Sequence, residues 1–130
     1  MNEMFFDTCF LIDLGRERRA GPGRAHAFLE VHAGARPWIS WVVAGEFAEG
    51  FDDIHHPACA GLLANFDVVA MDESTAHHYA QVTRHLRRHN QLISTNDLWI
   101  ASTCLAHGLP LVSGNGSHFG RVPGLTVISY

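Results

Sequence analysis

Short apolar runs alternate with longer segments of helical periodicity along this chain of 130 residues. Apolar runs bounded by polar residues are typical of buried strands, and apolar side chains recurring every three to four residues are typical of helices. This pattern predicts strands at residues 4–7, 37–40, 66–69, 111–113 and 126–128. Because strands that alternate with helices form a parallel sheet covered on both faces, we expect one α/β domain over residues 1–130, with four to five parallel strands.

The helices expected between these strands have recognisable ends. Thr8 is a candidate cap for the first helix, and residues 15–23, rich in arginine and glycine, are expected to form a loop. Pro22 can open a second helix that ends near Gly34. Further helices are predicted at 41–50, 55–65, 72–90 and 96–106, and a loop is predicted at 114–117.

Composition excludes several classes of function. The chain has no lysine, since all nine basic residues are arginine, so a P-loop and Schiff-base catalysis are excluded. It also lacks the GxGxxG and GxSxG motifs of dinucleotide-binding proteins and serine hydrolases. The scattered cysteines Cys9, Cys59 and Cys104 predict reduced thiols. No apolar stretch approaches the roughly 20 residues that span a bilayer, so we expect a cytoplasmic protein without a membrane partner.

Acidic side chains stand beside three of the predicted strands, at a strand end or in an adjoining helix. Asp7 ends the first strand, Glu46 lies in the helix after the second, and Asp97 lies in the first turn of the helix before the fourth. These carboxylates, and Asn115 after the fourth strand, are expected at one edge of the sheet. Carboxylates that converge can stay ionised around Mg²⁺ or Mn²⁺, which prefer oxygen ligands. The arrangement predicts metal-assisted phosphodiester hydrolysis without a covalent intermediate.

Structural explanations compete with this hypothesis. An aspartate such as Asp97 is stabilised at a helix start without binding anything, Asp7 suits a turn, and Glu46 suits a solvated helix face. A small-ligand-binding α/β module with structural acids is therefore an alternative. His85 and His89 have the spacing of zinc ligands on one helix, but no third ligand is suggested nearby and neighbouring arginines oppose a cation.

Four segments resemble, in order, the motifs of PIN-domain ribonucleases, and the last resembles the VapC toxin branch of that family. The first three are residues 6–13 (FDTCFLID), 43–50 (VAGEFAEG) and 95–102 (TNDLWIAS). The fourth combines 112–115 (VSGN) with 118–119 (HF) and 122–125 (VPGL). Together they span nearly the whole chain.

The resemblance implies a three-layer α/β/α fold and a Mg²⁺- or Mn²⁺-dependent endoribonuclease. It also implies a homodimer that is held inactive by a small VapB-like antitoxin. Asp7, Glu46 and Asp97 map onto the metal-binding acidic residues of the family. Asn115 stands where many relatives carry a fourth acid, which leaves a less charged site and argues against a second metal. A catalytically weak RNA-binding or protein-interaction module is the alternative, with Asn115 marking the loss of a ligand.

Supporting roles follow from the same resemblance. Ser113 stands where threonine is common and is expected to hold a water or phosphate, Thr8 is expected to orient Asp7, and Asp13 is expected to pair with an arginine of residues 16–19. RNA binding also needs positive charge, because the net charge is −4. The candidate RNA contacts are Arg16, Arg18, Arg19, Arg24, Arg84, Arg87, Arg88 and Arg121.

Overall fold

The computed structural model describes residues 2–130, which form a parallel sheet flanked by helices. The strands are β1 (Glu3–Phe6), β2 (Arg36–Ile39), β3 (Asp67–Val68), β4 (Leu111–Val112) and β5 (Val127–Ile128). The helices are α1 (Thr8–Ala20), α2 (Arg24–Val31), α3 (Trp41–Ala48), α4 (Pro57–Leu63), α5 (Glu73–Arg88), α6 (Thr95–His107) and α7 (Gly116–Phe119). The predicted α/β class and parallel sheet are confirmed.

The strand order places β1, which ends at the candidate residue Asp7, at the centre of the sheet. The order is β3-β2-β1-β4-β5, and every neighbouring pair is parallel. The chain builds outward from β1 through β2 to β3, then crosses back to place β4 on the other side of β1. Phe6 pairs with Val112 at this junction. A crevice forms where strand order reverses in such a sheet, so the carboxyl ends of β1 and β4 are where a ligand is expected.

Aromatic side chains fill the core beneath this crevice. Phe6 packs against Phe10, Phe28 and Phe66, with ring centroids 4.6, 6.0 and 5.6 Å apart. Phe6 and Phe10 are almost completely buried. Because Phe6 belongs to β1 and Phe10 to α1, their contact holds the start of α1, and with it Asp7, against the sheet.

The predicted loop at residues 15–23 is wrong, because α1 continues through Ala20. Gly15 lies within this helix, where an added Cβ would come 3.4 Å from Leu62 and 3.6 Å from Phe47. The glycine therefore packs toward α3 and α4 inside the helix and does not end it. The helix ends at Gly21, whose φ of 118° favours glycine.

Two helix starts also differ from prediction. Asp7, not Thr8, is the N-cap of α1, because its side chain accepts a hydrogen bond from the backbone N–H of Phe10. The second helix begins at Arg24 instead of Pro22 and ends at Val31, short of Gly34. Residues predicted as a loop at 114–117 partly belong to the short helix α7.

Candidate active site

Asp7 is held rigidly at the carboxyl end of β1. Its side chain is only 5% exposed, and its backbone N–H donates to Val112 of β4 over 3.2 Å. Oδ1 accepts from Cys9 Sγ at 2.7 Å and from the Phe10 N–H at 3.3 Å, while Oδ2 accepts a short hydrogen bond from Ser113 Oγ. Both carboxyl oxygens thus have donors, which come from two parts of the chain, the first turn of α1 and the residue after β4.

Glu46 reaches the same edge from α3. This helix starts where Ser40, just after β2, accepts a hydrogen bond from the Val43 N–H. Thr8 Oγ1 donates to Glu46 Oε1 at 2.5 Å, and Asn96 Nδ2 donates to Oε2 at 3.2 Å. Glu46 is therefore oriented by one residue from α1 and one from α6.

Asp97 enters the site from the first turn of α6. Ser94 caps this helix by accepting the N–H of Asp97 at 3.2 Å. Oδ2 of Asp97 lies 3.7 Å from His118 Nδ1, and that nitrogen lies 2.8 Å from Asn115 Nδ2. His118 therefore links Asp97 to Asn115, the polar residue that follows β4.

One cleft of about 250 Å³ brings these side chains together. Its walls are Asp7, Thr8, Cys9, Ile12, Glu46, Asp97, Ile100 and Asn115. Hollows of about 320 and 390 Å³ occur elsewhere on the described surface, but no carboxylate lines either of them. The cleft is therefore where acid-dependent chemistry can take place.

The charges in the cleft oppose one another. Burial raises the pKa of Asp7; hydrogen bonds from Cys9 and Ser113 partly offset this, and the charge of Asp97 adds to it. Burial also raises the pKa of Asp97, where a hydrogen bond with Ser94 opposes the rise and the charge of Glu46 reinforces it. Like charges in a partly dry crevice favour uptake of a proton or a cation.

The side chains fit a hydrated hard cation. Asp7, Glu46 and Asp97 offer only oxygen donors, the ligand type that Mg²⁺ and Mn²⁺ prefer. Within residues 2–130, no three His, Cys, Asp or Glu side chains stand close enough to hold an ion by themselves. This openness suits Mg²⁺, which usually binds through one or two carboxylates and keeps several waters.

Two supporting residues act differently from their predicted roles. Thr8 was expected to orient Asp7, but its hydroxyl donates to Glu46 instead. Ser113 was expected to hold a water or phosphate, but its buried hydroxyl donates to Asp7 and accepts from the Asn115 N–H at 2.9 Å. Asp13 pairs with Arg16, as predicted, and also accepts the Tyr130 hydroxyl at 2.5 Å.

Two residues of the site were missed by sequence reasoning. Cys9 was interpreted only as a reduced thiol and Asn96 only as part of a motif. Cys9 and Asn96 lie within two positions of Asp7 and Asp97 along the chain. Their closeness in sequence to Asp7 and Asp97 was the available signal. This signal does not indicate which acid each residue contacts, because Asn96 precedes Asp97 but donates to Glu46.

Comparison with known proteins identifies one family whose model matches most of the chain. The family described as the PIN domain matches residues 4–125. Ribonuclease VapC1 of Methanocaldococcus jannaschii is 29% identical over 122 residues, covering 93% of this chain and 82% of the relative. Ribonuclease VapC4 of Mycobacterium tuberculosis is 27% identical over 104 residues, covering 75% of this chain and 79% of the relative.

Solved structures share the fold. VapBC2 from Rickettsia felis, bound to a promoter DNA fragment, contains a chain that superposes with a TM-score of 0.87 at 21% identity, covering 98% of both chains. DNA-bound VapBC from Salmonella typhimurium gives a TM-score of 0.80 at 23% identity, covering 99% of this chain and 98% of the other.

No helix within residues 2–130 is both long and apolar enough to cross a membrane.

Proposed function

This chain belongs to the PIN-domain family, and from that membership we propose that it is a divalent-metal-dependent endoribonuclease, the toxin of a VapBC-type pair. The observation that carries the proposal is the convergence of Asp7, Glu46 and Asp97 in one cleft at the β1–β4 junction. The two ribonuclease relatives support hydrolysis of RNA as the reaction.

Asp7, Glu46 and Asp97 would hold one Mg²⁺ or Mn²⁺ ion together with water molecules, because the three side chains do not stand close enough to hold it by themselves. Such a cation, when bound, polarises a phosphodiester and lowers the pKa of a coordinated water. The chain's own contribution is orientation, because Cys9 and Ser113 position Asp7. Residues that orient a metal ligand in this way typically change metal affinity or activity by about 10–100-fold.

Asn115 has a different role in this proposal. Its amide is neutral, so the cleft carries less negative charge than it would with a fourth acid, and a phosphate can approach more easily. The amide is positioned by His118, whose Nδ1 lies 2.8 Å away. We expect Asn115 to assist by a hydrogen bond to the substrate or to a water, with a single cation in the site.

The partners form part of the proposal. The structural relatives are complexes named VapBC, which supports a VapB-like antitoxin as the natural inhibitor. A homodimer and a cytoplasmic location follow from the family resemblance. Light scattering on the purified chain, alone and with its co-expressed antitoxin, tests the assembly, and a mass equal to the monomer would remove the dimer from the proposal.

The central test is cleavage of RNA by antitoxin-free protein. We expect cleavage with Mg²⁺ or Mn²⁺ and none with EDTA. Glu46→Gln should lower the cleavage rate by more than about 100-fold. Replacement of a residue that only orients a metal ligand already lowers metal affinity or activity by about 10–100-fold. Glu49→Gln is the matched control. Glu49 is the exposed residue that caps the end of α3 and does not line the cleft, so this variant should cut normally.

A second readout separates metal binding from catalysis. Mn²⁺ should raise the melting temperature of the parent protein, because a ligand that binds only the folded state stabilises it. Asp7→Asn should lose most of this rise. Equal cleavage by Asp7→Asn and the parent would show that the proposed mechanism is wrong. If neither protein cuts RNA but both bind it, the binding-module alternative replaces the nuclease.

A further inference from the structure

Two hollows extend the catalytic cleft along α1 and α3. The first, of about 260 Å³, shares Ile12 and Glu46 with the cleft. The second, of about 140 Å³, shares Gly15, Arg19 and Phe47 with the first. We name the two together the α1–α3 groove, whose walls include Ile12, Arg18, Arg19, Glu46, Phe47 and Phe51, with apolar residues of α4 closing its far end. Because its walls continue those of the cleft, a chain lying in the groove leads directly to the carboxylates.

Two free cations line this groove. Arg18 and Arg19 are both exposed and project from the last turns of α1. Within residues 2–130, neither of them forms an ion pair with an acidic side chain. Their charge is therefore available to an anionic ligand, beside a cleft that is itself strongly acidic.

Three of the other six arginines proposed from the sequence are already engaged. Arg16 pairs with Asp13, and the Arg24 guanidinium lies 5.6 Å from the centre of the Tyr130 ring. Arg121 Nη1 lies 3.4 Å from the carbonyl oxygen of Leu92. Among the arginines near the first motif, the structure thus selects Arg18 and Arg19.

The floor of the groove is aromatic. Phe47 is buried, whereas Phe51 is half-buried, and its ring centroid lies 5.3 Å from that of Phe47 and 5.3 Å from that of His56. Gly15 adds no side chain above Phe47, since even a Cβ there would stand 3.6 Å from that ring. Cations beside an accessible aromatic face are the combination that binds single-stranded nucleic acid, through phosphates and base stacking respectively.

Resting on the proposed nuclease function, we propose that the α1–α3 groove binds the single-stranded RNA substrate on one side of the scissile phosphodiester. Arg18 and Arg19 contact backbone phosphates, and Phe51 offers its ring to a base. The reason is electrostatic: the chain carries a net charge of −4 and an acidic cleft, so a polyanion needs local positive charge to enter it.

The salt dependence of RNA binding tests this proposal. Anisotropy of a labelled single-stranded RNA of about 12 nucleotides, a length within the site sizes of such proteins, is measured in EDTA so that no cleavage occurs. Each phosphate contact contributes about 0.7 to the slope of log K against log salt concentration for single strands. Arg19→Gln should therefore reduce the magnitude of the slope by about 0.7, and Arg18→Gln/Arg19→Gln by about 1.4.

Arg36→Gln is the matched control. Arg36 begins β2 at the amino edge of the sheet and pairs with Asp67, so its removal deletes one positive charge away from the groove. The control should leave the slope unchanged. An unchanged slope in the double variant, or an equal reduction in Arg36→Gln, would overturn the proposal. Unchanged RNA binding with weakened binding of the co-expressed antitoxin would also overturn it, by assigning the groove to the protein partner.

The experiments can refute the groove assignment and the nuclease proposal separately. If the parent binds RNA with the expected arginine dependence but never cuts it with Mn²⁺, the groove assignment stands and the nuclease proposal fails. If the parent cuts RNA and the double variant keeps the parental slope, the groove assignment alone fails. Under cleavage conditions, the double variant should raise KM and leave kcat near the parental value, because the arginines lie outside the reacting carboxylates.

Discussion

Replacement of Ser113 by alanine tests whether the position of Asp7 depends on a buried hydroxyl. The Ser113 side chain is 1% exposed, and its hydroxyl donates to Oδ2 of Asp7. In Ser113→Ala this carboxyl oxygen loses its donor in a place that water barely reaches. Asp7 should then turn or take up a proton, and either change weakens cation binding.

The expected loss of stability follows from the type of bond. A hydrogen bond to a charged group contributes about 1.5–3 kcal/mol, so Ser113→Ala should lower the free energy of unfolding by about 2 kcal/mol. For a domain of this size that corresponds to a fall in melting temperature of roughly 6–10 °C. The loss should be largest at a pH where Asp7 is ionised. Cleavage should fall by about 10–100-fold, as for other residues that orient metal ligands.

A double-mutant cycle isolates the interaction. Urea unfolding of the parent, Ser113→Ala, Asp7→Asn and the double variant gives the coupling energy, expected near 1.5–2 kcal/mol. Ser113→Thr keeps the hydroxyl and should retain most of the activity. A coupling below about 0.5 kcal/mol, the usual error of additivity, would show that the hydroxyl does not hold Asp7. The same conclusion would follow if Ser113→Ala cut RNA at the parental rate.

Three further predictions concern Asp97, Thr8 and the pH dependence of cleavage. Asp97→Asn should be more stable than the parent in EDTA at pH 7, since burial and the Glu46 charge raise the pKa of Asp97. Urea unfolding should show this advantage shrinking on acidification as the parental carboxyl protonates; a less stable variant at pH 7 would contradict it. Thr8→Val should cut RNA about 10-fold more slowly in single-turnover assays, whereas Thr8→Ser should retain activity. In a pH–rate profile, cleavage should decline on acidification through the raised pKa values of Asp7 and Asp97, above the ordinary aspartate value of about 3.9; undiminished activity near that pH would refute this reasoning.

The order of elements was readable from local patterns. Each predicted strand overlaps an observed one, because an apolar run bounded by polar residues has few alternatives to a buried strand in a parallel sheet. The error at residues 15–23 shows where local patterns fail. Gly15 resembles a helix breaker in sequence, but it lies inside α1, where the packing of the helix against Phe47 and Leu62 overrides the local preference.

The order of residues along the chain predicted which acids meet, whereas the donor that holds each acid is visible only in the folded structure. Asp7, Glu46 and Asp97 could be assigned to one edge because strand direction and helix starts follow from local order. The donors could not, since Ser113 reaches Asp7 across 106 positions and Thr8 reaches Glu46 across 38. Such hydrogen bonds depend on sheet order and on helix packing to within a fraction of an ångström, and no local pattern in the chain encodes either.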